Sequence, residues 1–474
     1  MRRYIKTLHS LWLFWTTQTK TKGELCITNK DFITTLLNVE LDDIENFVVR
    51  QKDSKVVYDL TLKRKETVCP YCVELMIGHG FSRPKPIKTS ALREYDGIIY
   101  FKANRYICKK CNHTVTEDNP FAFERFNSSF QLIRTIFKYL GNLNYTLDMI
   151  SKELNISSTQ INKYIDSYIV IPPRDLPEWL GIDEIHNPEL SYKHSSYLCV
   201  LVDGEERCVY DVLGSRSKYY LNNYFMQFPL AQRLKVKYVT IDLWKSYKDV
   251  AKKCFPNCIV AADPFHFCKH LYDGFDSLRV HLMNQCEYGS NGYYLLKKWN
   301  WLLTKDDVDL NNEPVYNSRF KTKLNRKDIL NMILKEFPIL NEAYYLKEKF
   351  KFAVANFDYE TMKAAYDTYL RIFKESNIKE YDEFISILEN WKEEILNSFL
   401  RPYGDHKLSN ALTENVNGKL DIYLEISHGI LNLTRFRKRV LYALNPHIYY
   451  SISSTLTSDS LPGKPRGKYK KIKD

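Results

Sequence analysis

The stretch Val236-Lys-Tyr-Val-Thr-Ile-Asp-Leu243 decides the fold class of the central part of this chain. It is an apolar run of strand length that carries a carboxylate, Asp242, near its end, and a helical pattern follows it. Similar runs stand at Trp179-Leu-Gly-Ile-Asp-Glu-Ile185 and Ile259-Val-Ala-Ala-Asp-Pro-Phe-His266. Because strands and short helices alternate between the first and the last of these runs, the sequence predicts an α/β domain.

Acidic residues lie toward the ends of all three predicted strands: Asp183 on the first, Asp242 on the second and Asp263 on the third. A carboxylate on a buried strand is unfavourable unless it is paired or binds a metal, so Asp183 and Asp242 suggest a shared metal site. Side chains alternate along a strand, and we therefore expect Asp183 and Glu184 on opposite faces, not both in that site. For each acid taken alone, a helix N-cap or a strand-end role is the alternative.

Two CxxC pairs, Cys69-Pro-Tyr-Cys72 and Cys108-Lys-Lys-Cys111, lie before the α/β region. Each pair supplies two thiolates on one side of a zinc ion, and two pairs complete a tetrahedral site. Residues 98–105 are expected to form a strand between them, as in a zinc ribbon. A closed site with four thiolates is structural, because it leaves no position open for catalysis. The alternative is two unrelated CxxC pairs.

A helix-turn-helix pattern follows the cysteine pairs. Ser157 or Ser158 is a suitable N-cap for its second helix. That helix would present Thr159, Gln160 and Lys163 to the major groove of DNA. The alternative is a helical hairpin packed inside a larger domain.

Composition and charge narrow the class of protein. The 474 residues include 69 Lys and Arg against 57 Asp and Glu, a formal net charge of +12, which favours a polyanionic partner such as nucleic acid. The 44% of hydrophobic residues excludes wholesale disorder. No apolar stretch reaches the roughly 18 residues of a membrane span, and the apolar run near the start is too short for a secretory signal. We therefore expect a cytoplasmic, nucleoid-associated protein whose paired cysteines bind metal.

Four motifs carry a family resemblance, and they occur in this order: Gly181-Ile-Asp-Glu184, Val239-Thr-Ile-Asp-Leu-Trp-Lys-Ser-Tyr247, Ala262-Asp-Pro-Phe-His266 and Ser409-Asn-Ala-Leu-Thr-Glu-Asn-Val-Asn417. Together with the zinc ribbon and the helix-turn-helix upstream, the chain resembles the DDE transposases of the bacterial ISL-type insertion-sequence family. The resemblance covers about residues 31–445.

The resemblance implies an RNase H-like catalytic fold with three catalytic acids. Asp183 would lie on its first strand, Asp242 after its fourth, and Glu414 on a helix reached after a long helical insertion. Two Mg²⁺ or Mn²⁺ ions would be held, with Asp183 bridging both while Asp242 and Glu414 each hold one. Asp263 and His266 match a family motif and are expected to be auxiliary.

The resemblance also implies double-stranded DNA as the partner, in the form of terminal inverted repeats and target DNA, and a homodimer or higher oligomer in the synaptic complex. A basic run resembles the end of the family's last helix, and it adds four DNA-binding candidates: Arg435, Arg437, Lys438 and Arg439. The implied activity is metal-dependent strand cleavage and strand transfer. The alternatives are a DNA-binding regulator with a decayed catalytic domain and another RNase H-like nuclease.

The predicted fold class is therefore a multidomain α+β and α/β chain in which an all-α insertion interrupts the catalytic domain. One helix is expected from about residue 410 to 444. The predicted parts are an N-terminal segment (1–60), the zinc ribbon (64–114), the helix-turn-helix (129–170), the first part of the catalytic domain (178–287), the helical insertion (288–404), the last helix of the catalytic domain (405–445) and a basic disordered tail (446–474).

Overall fold

The computed structural model of the chain describes residues 39–446 except 53, 93–94, 123–126, 193–194, 306–307, 405 and 428–429. The start of the predicted N-terminal segment (1–38) and nearly all of the predicted tail (447–474) lie outside the described residues. The chain divides into two units. One comprises the chain up to Lys138 together with Lys152–Asn155, and the other comprises Tyr139–Ser151 and the chain from Ile156.

The N-terminal unit holds two sheets. Their strands are β1 (Ile44–Lys52), β2 (Lys55–Leu62), β3 (Ile77–Phe81), β4 (Lys85–Leu92), β5 (Tyr95–Lys102), β6 (Asn104–Ile107) and β7 (Thr114–Thr116), and a 3-10 turn, Leu41–Asp43, precedes them. One sheet has the order β1-β2-β5-β4, and the other has the order β3-β6-β7. The single strand expected at residues 98–105 is thus divided between β5 and β6, which belong to different sheets.

Three helices follow: α1 (Phe130–Leu140), α2 (Leu147–Glu153) and α3 (Ser158–Tyr168). Between α2 and α3, Asn155 takes a left-handed backbone conformation with φ of 44°. Ser157 caps α3, since its hydroxyl accepts a hydrogen bond from the amide of Gln160 at 3.2 Å. The local sequence therefore ends one helix and starts the next within four residues.

A five-stranded sheet forms the centre of the second unit. Its strands are β8 (Trp179–His186), β9 (Tyr197–Asp203), β10 (Cys208–Leu213), β11 (Tyr238–Ile241) and β12 (Ile259–Ala262), and their spatial order is β10-β9-β8-β11-β12. The first three strands form an antiparallel meander. The pairs β8–β11 and β11–β12 are parallel, and helices connect these strands.

Helices cover both faces of this sheet. Three of them follow β10 and β11: α4 (Lys218–Met226), α5 (Leu230–Arg233) and α6 (Lys245–Cys254). The two last helices are α15 (Ala411–Ser427) and α16 (Leu433–Leu444). The side chains of β9 alternate between these two faces. Cys199 and Leu201 pack with α4 and α6, whereas Leu198, Val200 and Val202 pack with α15 and α16.

A mostly helical segment lies between β12 and α15. Its elements are α7 (Pro264–Gln285), α8 (Asn291–Lys298), α9 (Trp301–Thr304), β13 (Val315–Asn317), β14 (Thr322–Leu324), α10 (Arg326–Glu336), α11 (Pro338–Asn356), α12 (Tyr359–Glu375), a 3-10 turn (Lys379–Tyr381), α13 (Asp382–Asn390) and α14 (Lys392–Asn397). The expectation of a wholly helical insertion is wrong in one respect, since β13 and β14 form a hairpin. Its turn places Lys321 in the left-handed region, and the side chain of Asn317 accepts the amide of Arg319 at 3.0 Å.

The single helix expected at residues 410–444 is also wrong, because α15 and α16 are separate helices. Asn432 starts the second of them, since its side-chain oxygen accepts the amide of Arg435 at 3.0 Å, a typical N-cap bond. Among the described residues, no helix combines the length and the apolar character that crossing a membrane requires.

Candidate active site

Asp183 lies on β8 and is buried, with its carboxylate on the side of α15. Both of its oxygens accept hydrogen bonds: Oδ1 from the backbone amide of Glu184 at 2.8 Å, and Oδ2 from the side-chain amide of Asn417 at 2.9 Å. These two donors fix the orientation of the carboxylate without neutralising its charge. Asp183 is therefore a fixed acceptor that can also bind a cation.

Asp242 follows the last residue of β11 directly. Its Oδ1 accepts the backbone amide of Trp244 at 3.1 Å, which orients the side chain at the strand end. The pairing of β11 with β8 ends at Thr240 and Gly181. Beyond that point β8 has no parallel neighbour on this side, and Asp242 lies at the resulting open edge.

Glu184 joins the two acids at this edge. Oxygens of Asp183, Glu184 and Asp242 lie within 4.8 Å of one another. The expectation that Asp183 and Glu184 cannot both point into one site is therefore wrong for their carboxylates. Their side chains do leave β8 on opposite faces, but the open edge lets the two carboxylates meet around it.

Glu184 is held by two further residues that the sequence analysis did not single out. The hydroxyl of Tyr247, on α6, donates to Glu184 Oε2 at 2.7 Å, and Arg216 forms an ion pair with Oε1. The guanidinium of Arg216 stacks between the rings of Tyr197 and Trp244, with its central carbon 3.7 Å and 4.4 Å from the ring centres. Glu184 thus has a side-chain donor on each oxygen, and one of these donors is a cation.

A second acidic group lies near the first. Ligand atoms of Asp263, His266 and Glu414 lie within 4.8 Å of one another. Asp263 directly follows β12, and Glu414 lies in the first turn of α15. The structure therefore places Glu414 beside Asp263 and His266, and it is not part of the cluster that Asp183 and Asp242 form with Glu184.

Asn410 connects the two groups. Its backbone amide donates to Asp263 Oδ1 at 2.9 Å, and its side-chain amide donates to the carbonyl of Ile182 at 3.1 Å. Gly181 makes this approach possible, because a Cβ there would lie 3.0 Å from Thr413 Oγ1 and 2.5 Å from Val202 Cγ2. The spacing of Asn410, Glu414 and Asn417 on one helical face is the sequence signal that identifies the two asparagines.

The electrostatics of the site favour bound cations. Burial, together with the charges of Glu184, Asp263 and Glu414, raises the pKa of Asp183 to about 7. Burial likewise raises the pKa of Asp242 to about 8 and that of Asp263 to about 7, and it raises the pKa of Glu414. A cation must displace protons from these groups, so its affinity rises as the pH increases through this range.

A comparison of the chain with known protein families identifies the family to which it belongs. The sequence model of the ISL3-type DDE transposases, described as a transposase family, matches residues 180–440, which is more than half of the chain. The chain belongs to this transposase family. The match includes Asp183, Asp242, Asp263, His266 and Glu414, while no curated protein matches the chain. The family consists of enzymes of DNA transposition.

The cysteine cluster of this transposase lies outside the matched residues. The four Sγ atoms lie within 4.8 Å of one another, with Cys69 and Cys111 3.5 Å apart and Cys72 and Cys108 3.4 Å apart. Tetrahedral Zn–S bonds of about 2.3 Å put sulfurs roughly 3.8 Å apart, so the four sulfurs fit a zinc ion. Backbone amides also favour the thiolate form that binds zinc. The amide of Cys111 is the main cause that lowers the pKa of the Cys108 thiol to about 7.

The two CxxC turns have the same backbone structure. In each, the residue after the second cysteine is left-handed and its amide bonds to the carbonyl of the first cysteine: Val73 to Cys69 at 3.0 Å, and Asn112 to Cys108 at 2.9 Å. Such a repeated turn is expected when both pairs serve one metal ion. It makes two unrelated CxxC pairs a poor explanation.

The predicted DNA-binding residues of this transposase fall into two groups. Thr159 and Lys163 are exposed on α3, and Gln160 is half-buried beside them. The four basic residues of α16 instead make internal contacts: Arg435 pairs with Asp166, Arg437 with Asp211, Lys438 Nζ with the Asp166 carbonyl at 2.9 Å, and Arg439 with the carbonyls of Asn142 and Tyr145. Only the first group therefore presents unengaged side-chain surface toward a partner.

Proposed function

We propose that this transposase cuts DNA at the ends of its element and joins them to target DNA in a metal-dependent reaction, with Asp183, Asp242 and Glu414 as catalytic residues. The observation that carries the proposal is the convergence of two acidic groups at one edge of the five-stranded sheet, inside the region matched by the family. The sheet order and strand directions support an RNase H-like catalytic fold, in which Asp183 is on the first strand and Asp242 follows the fourth.

The donors present fit hard divalent cations such as Mg²⁺ or Mn²⁺, which prefer oxygen ligands. Two buried oxygens in the site, Asp263 Oδ2 and Glu414 Oε1, have no hydrogen-bond partner, which supports the presence of a cation there. Two such ions would activate the attacking oxygen and stabilise the leaving oxygen of the phosphodiester.

The chain's own residues hold the acids in place for this chemistry. Asn417 and the amide of Glu184 orient Asp183, and the amide of Trp244 orients Asp242. The guanidinium of Arg216 already neutralises the charge of Glu184, and Tyr247 donates to its other oxygen, so we infer that Glu184 shapes the site and is not itself a metal ligand. The wild-type site therefore needs little rearrangement of these side chains when ions bind.

The test of this function is strand cleavage by the purified full chain on DNA that carries the ends of its own element, in Mg²⁺. We expect cleavage by the wild type and a loss of about three orders of magnitude or more in Asp183→Asn, because the amide cannot supply the charge that holds an ion. Asp249→Asn, a surface acid paired with Lys218, is the matched control and should cleave normally. Binding of the ends without cleavage by the wild type would indicate a regulator with a decayed catalytic domain.

We propose further that α3 reads the DNA sequence through Thr159, Gln160 and Lys163, and that the four-cysteine cluster holds one structural zinc ion. Three observations support a DNA-binding helix: Thr159 and Lys163 are exposed, Ser157 caps the helix, and the chain has a net charge of +12. The internal contacts of the α16 cations give them a different first role, since Arg435 and Lys438 attach α16 to α3, whereas Arg437 pairs with Asp211 on β10 and Arg439 bonds to carbonyls of the segment before α2. Arg439 in particular is 1% exposed.

For sequence recognition, we expect the full chain to bind its element's ends more tightly than random DNA, with affinity falling steeply with salt. Gln160→Ala should reduce the discrimination by about 1–3 kcal/mol, because it removes a base contact. Lys163→Ala should weaken binding to both DNAs alike. The control is Lys335→Ala, which changes an exposed lysine on α10. Titration with labelled duplexes measures the DNA affinity of the wild type and of the three variants. Equal affinity of the wild type for both DNAs would remove the recognition role of α3.

A further inference from the structure

Asp263 is the most buried acid of the second group and the one with the least explained surroundings. The residue is 2% exposed. Its Oδ1 accepts the backbone amide of Asn410 at 2.9 Å, whereas its Oδ2 has no hydrogen-bond partner. A buried carboxylate oxygen without a donor is strongly unfavourable unless something outside the protein chain supplies the missing interaction.

The ordinary roles of such a residue do not account for this oxygen. Asp263 stands at the N-cap position of α7, and the amide of Phe265 interacts with its carboxylate, but the side chain makes no cap hydrogen bond of normal geometry. Among the ion pairs formed by described residues, its only partner is His266, whose Nε2 lies 4.0 Å from Asp263 Oδ2, too far for a hydrogen bond. Among the described residues, no Lys or Arg forms an ion pair with Asp263.

Glu414 faces Asp263 with the same deficiency. Its Oε1 is buried and has no hydrogen-bond partner, and it belongs to the group that spans 4.8 Å with Asp263 and His266. Two facing carboxylates without a donor between them repel each other unless a proton or a cation lies there. Three oxygen or nitrogen atoms at this separation match the spread of ligands around one divalent ion.

We propose that Asp263 is a fourth metal-binding carboxylate of this centre, and that it holds one divalent ion together with Glu414, beside His266, while Asp183 and Asp242 hold the other. Asp263 is then a metal ligand, whereas the sequence led us to expect only an auxiliary role for it. The use of the ions in strand cleavage rests on the proposed function, but the binding of the ions does not.

The experiment is a calorimetric titration of the full chain, free of DNA, with Mn²⁺. We expect two ions per wild-type chain and one per Asp263→Asn chain, or at least a tenfold weaker second ion. Asp203→Asn is the matched control, because Asp203 is a buried strand-end acid whose partner is Arg174, and it should keep both ions. Two ions of unchanged affinity in Asp263→Asn would overturn the proposal, and so would one ion or none in the wild type.

A second measurement covers the case in which Asp263→Asn does not fold. Fe²⁺ in place of Mn²⁺, with peroxide, cuts a protein backbone next to the bound ion, and the wild-type chain should be cut beside Asp263 as well as beside Asp183. Cutting beside Asp183 alone would overturn the proposal. Both measurements are made without DNA, so two ions in a chain that never cleaves its ends would sink the proposed function and leave this site standing.

Discussion

Glu414→Gln is expected to lower Mg²⁺-dependent strand cleavage by about three orders of magnitude or more while leaving end binding and folding intact. Gln keeps the shape of the side chain but removes the negative charge that holds a divalent ion, so the stabilisation of charge in the transition state is lost. A cleavage assay on end-bearing DNA, with binding and thermal unfolding measured in parallel, gives the result. The effect should be nearly as large as that of Asp183→Asn.

The competing explanation of Glu414 is its place in the first turn of α15, where an acid complements the helix dipole. That explanation predicts a stability loss of about 0.3–1 kcal/mol and full activity. Glu425→Gln, an exposed acid on the same helix, is the matched control and should leave cleavage unchanged. Combining Glu414→Gln with Asp242→Asn should add little to either, because residues that act as one unit are not additive. Near-normal cleavage by Glu414→Gln would exclude Glu414 as a catalytic residue.

The double variant Cys69→Ser and Cys108→Ser is expected to lose zinc and to unfold the N-terminal unit. The two cysteines are the buried members of the cluster, one from each CxxC turn, so no alternative pair of thiolates can close the site. Binding of structural zinc contributes about 10 kcal/mol or more of folding free energy in small domains, and its loss is therefore large. Metal analysis should find about one zinc per wild-type chain and none in the double variant.

Cys258→Ser with Cys286→Ser is the control for this experiment. Both cysteines are half-buried and lie outside the cluster, so zinc content and the unfolding of the N-terminal unit should match the wild type. Amide hydrogen exchange would report the unfolding directly, as a cooperative loss of protection that is confined to the N-terminal unit. Retention of one zinc per chain in Cys69→Ser with Cys108→Ser would contradict the zinc assignment.

Local sequence rules predict the elements of this protein well where one strong signal acts. The CxxC spacing predicts that four sulfurs meet, and Ser157 predicts the start of α3. Apolar runs ending on Asp183 and Asp242 predict strands that bring two acids together. In each case the signal itself lies within a few residues of sequence: a CxxC spacing, an N-cap serine or an apolar run that ends on an acid.

The arrangements that sequence reasoning misses depend on where a neighbouring element ends. Glu184 meets Asp183 because β11 stops pairing at Gly181, a property of β11 and not of β8. Glu414 lies with Asp263 and His266 because Asn410 attaches the start of α15 to both Asp263 and Ile182. The division of the expected last helix into α15 and α16, likewise, follows from the single N-cap at Asn432.

The mostly helical segment between β12 and α15 starts and finishes at the same place. It leaves the sheet at Asp263, directly after β12, and α14 returns to β12, where the side-chain amide of Asn397 donates to the carbonyl of Val260 at 2.9 Å. Because the two ends of the segment are attached next to each other at β12, the segment can become longer or shorter without displacing the edge of the sheet. The segment can thus be exchanged or resized during evolution, because its attachment at β12, and not its length, fixes the relative positions of Asp263 and Glu414.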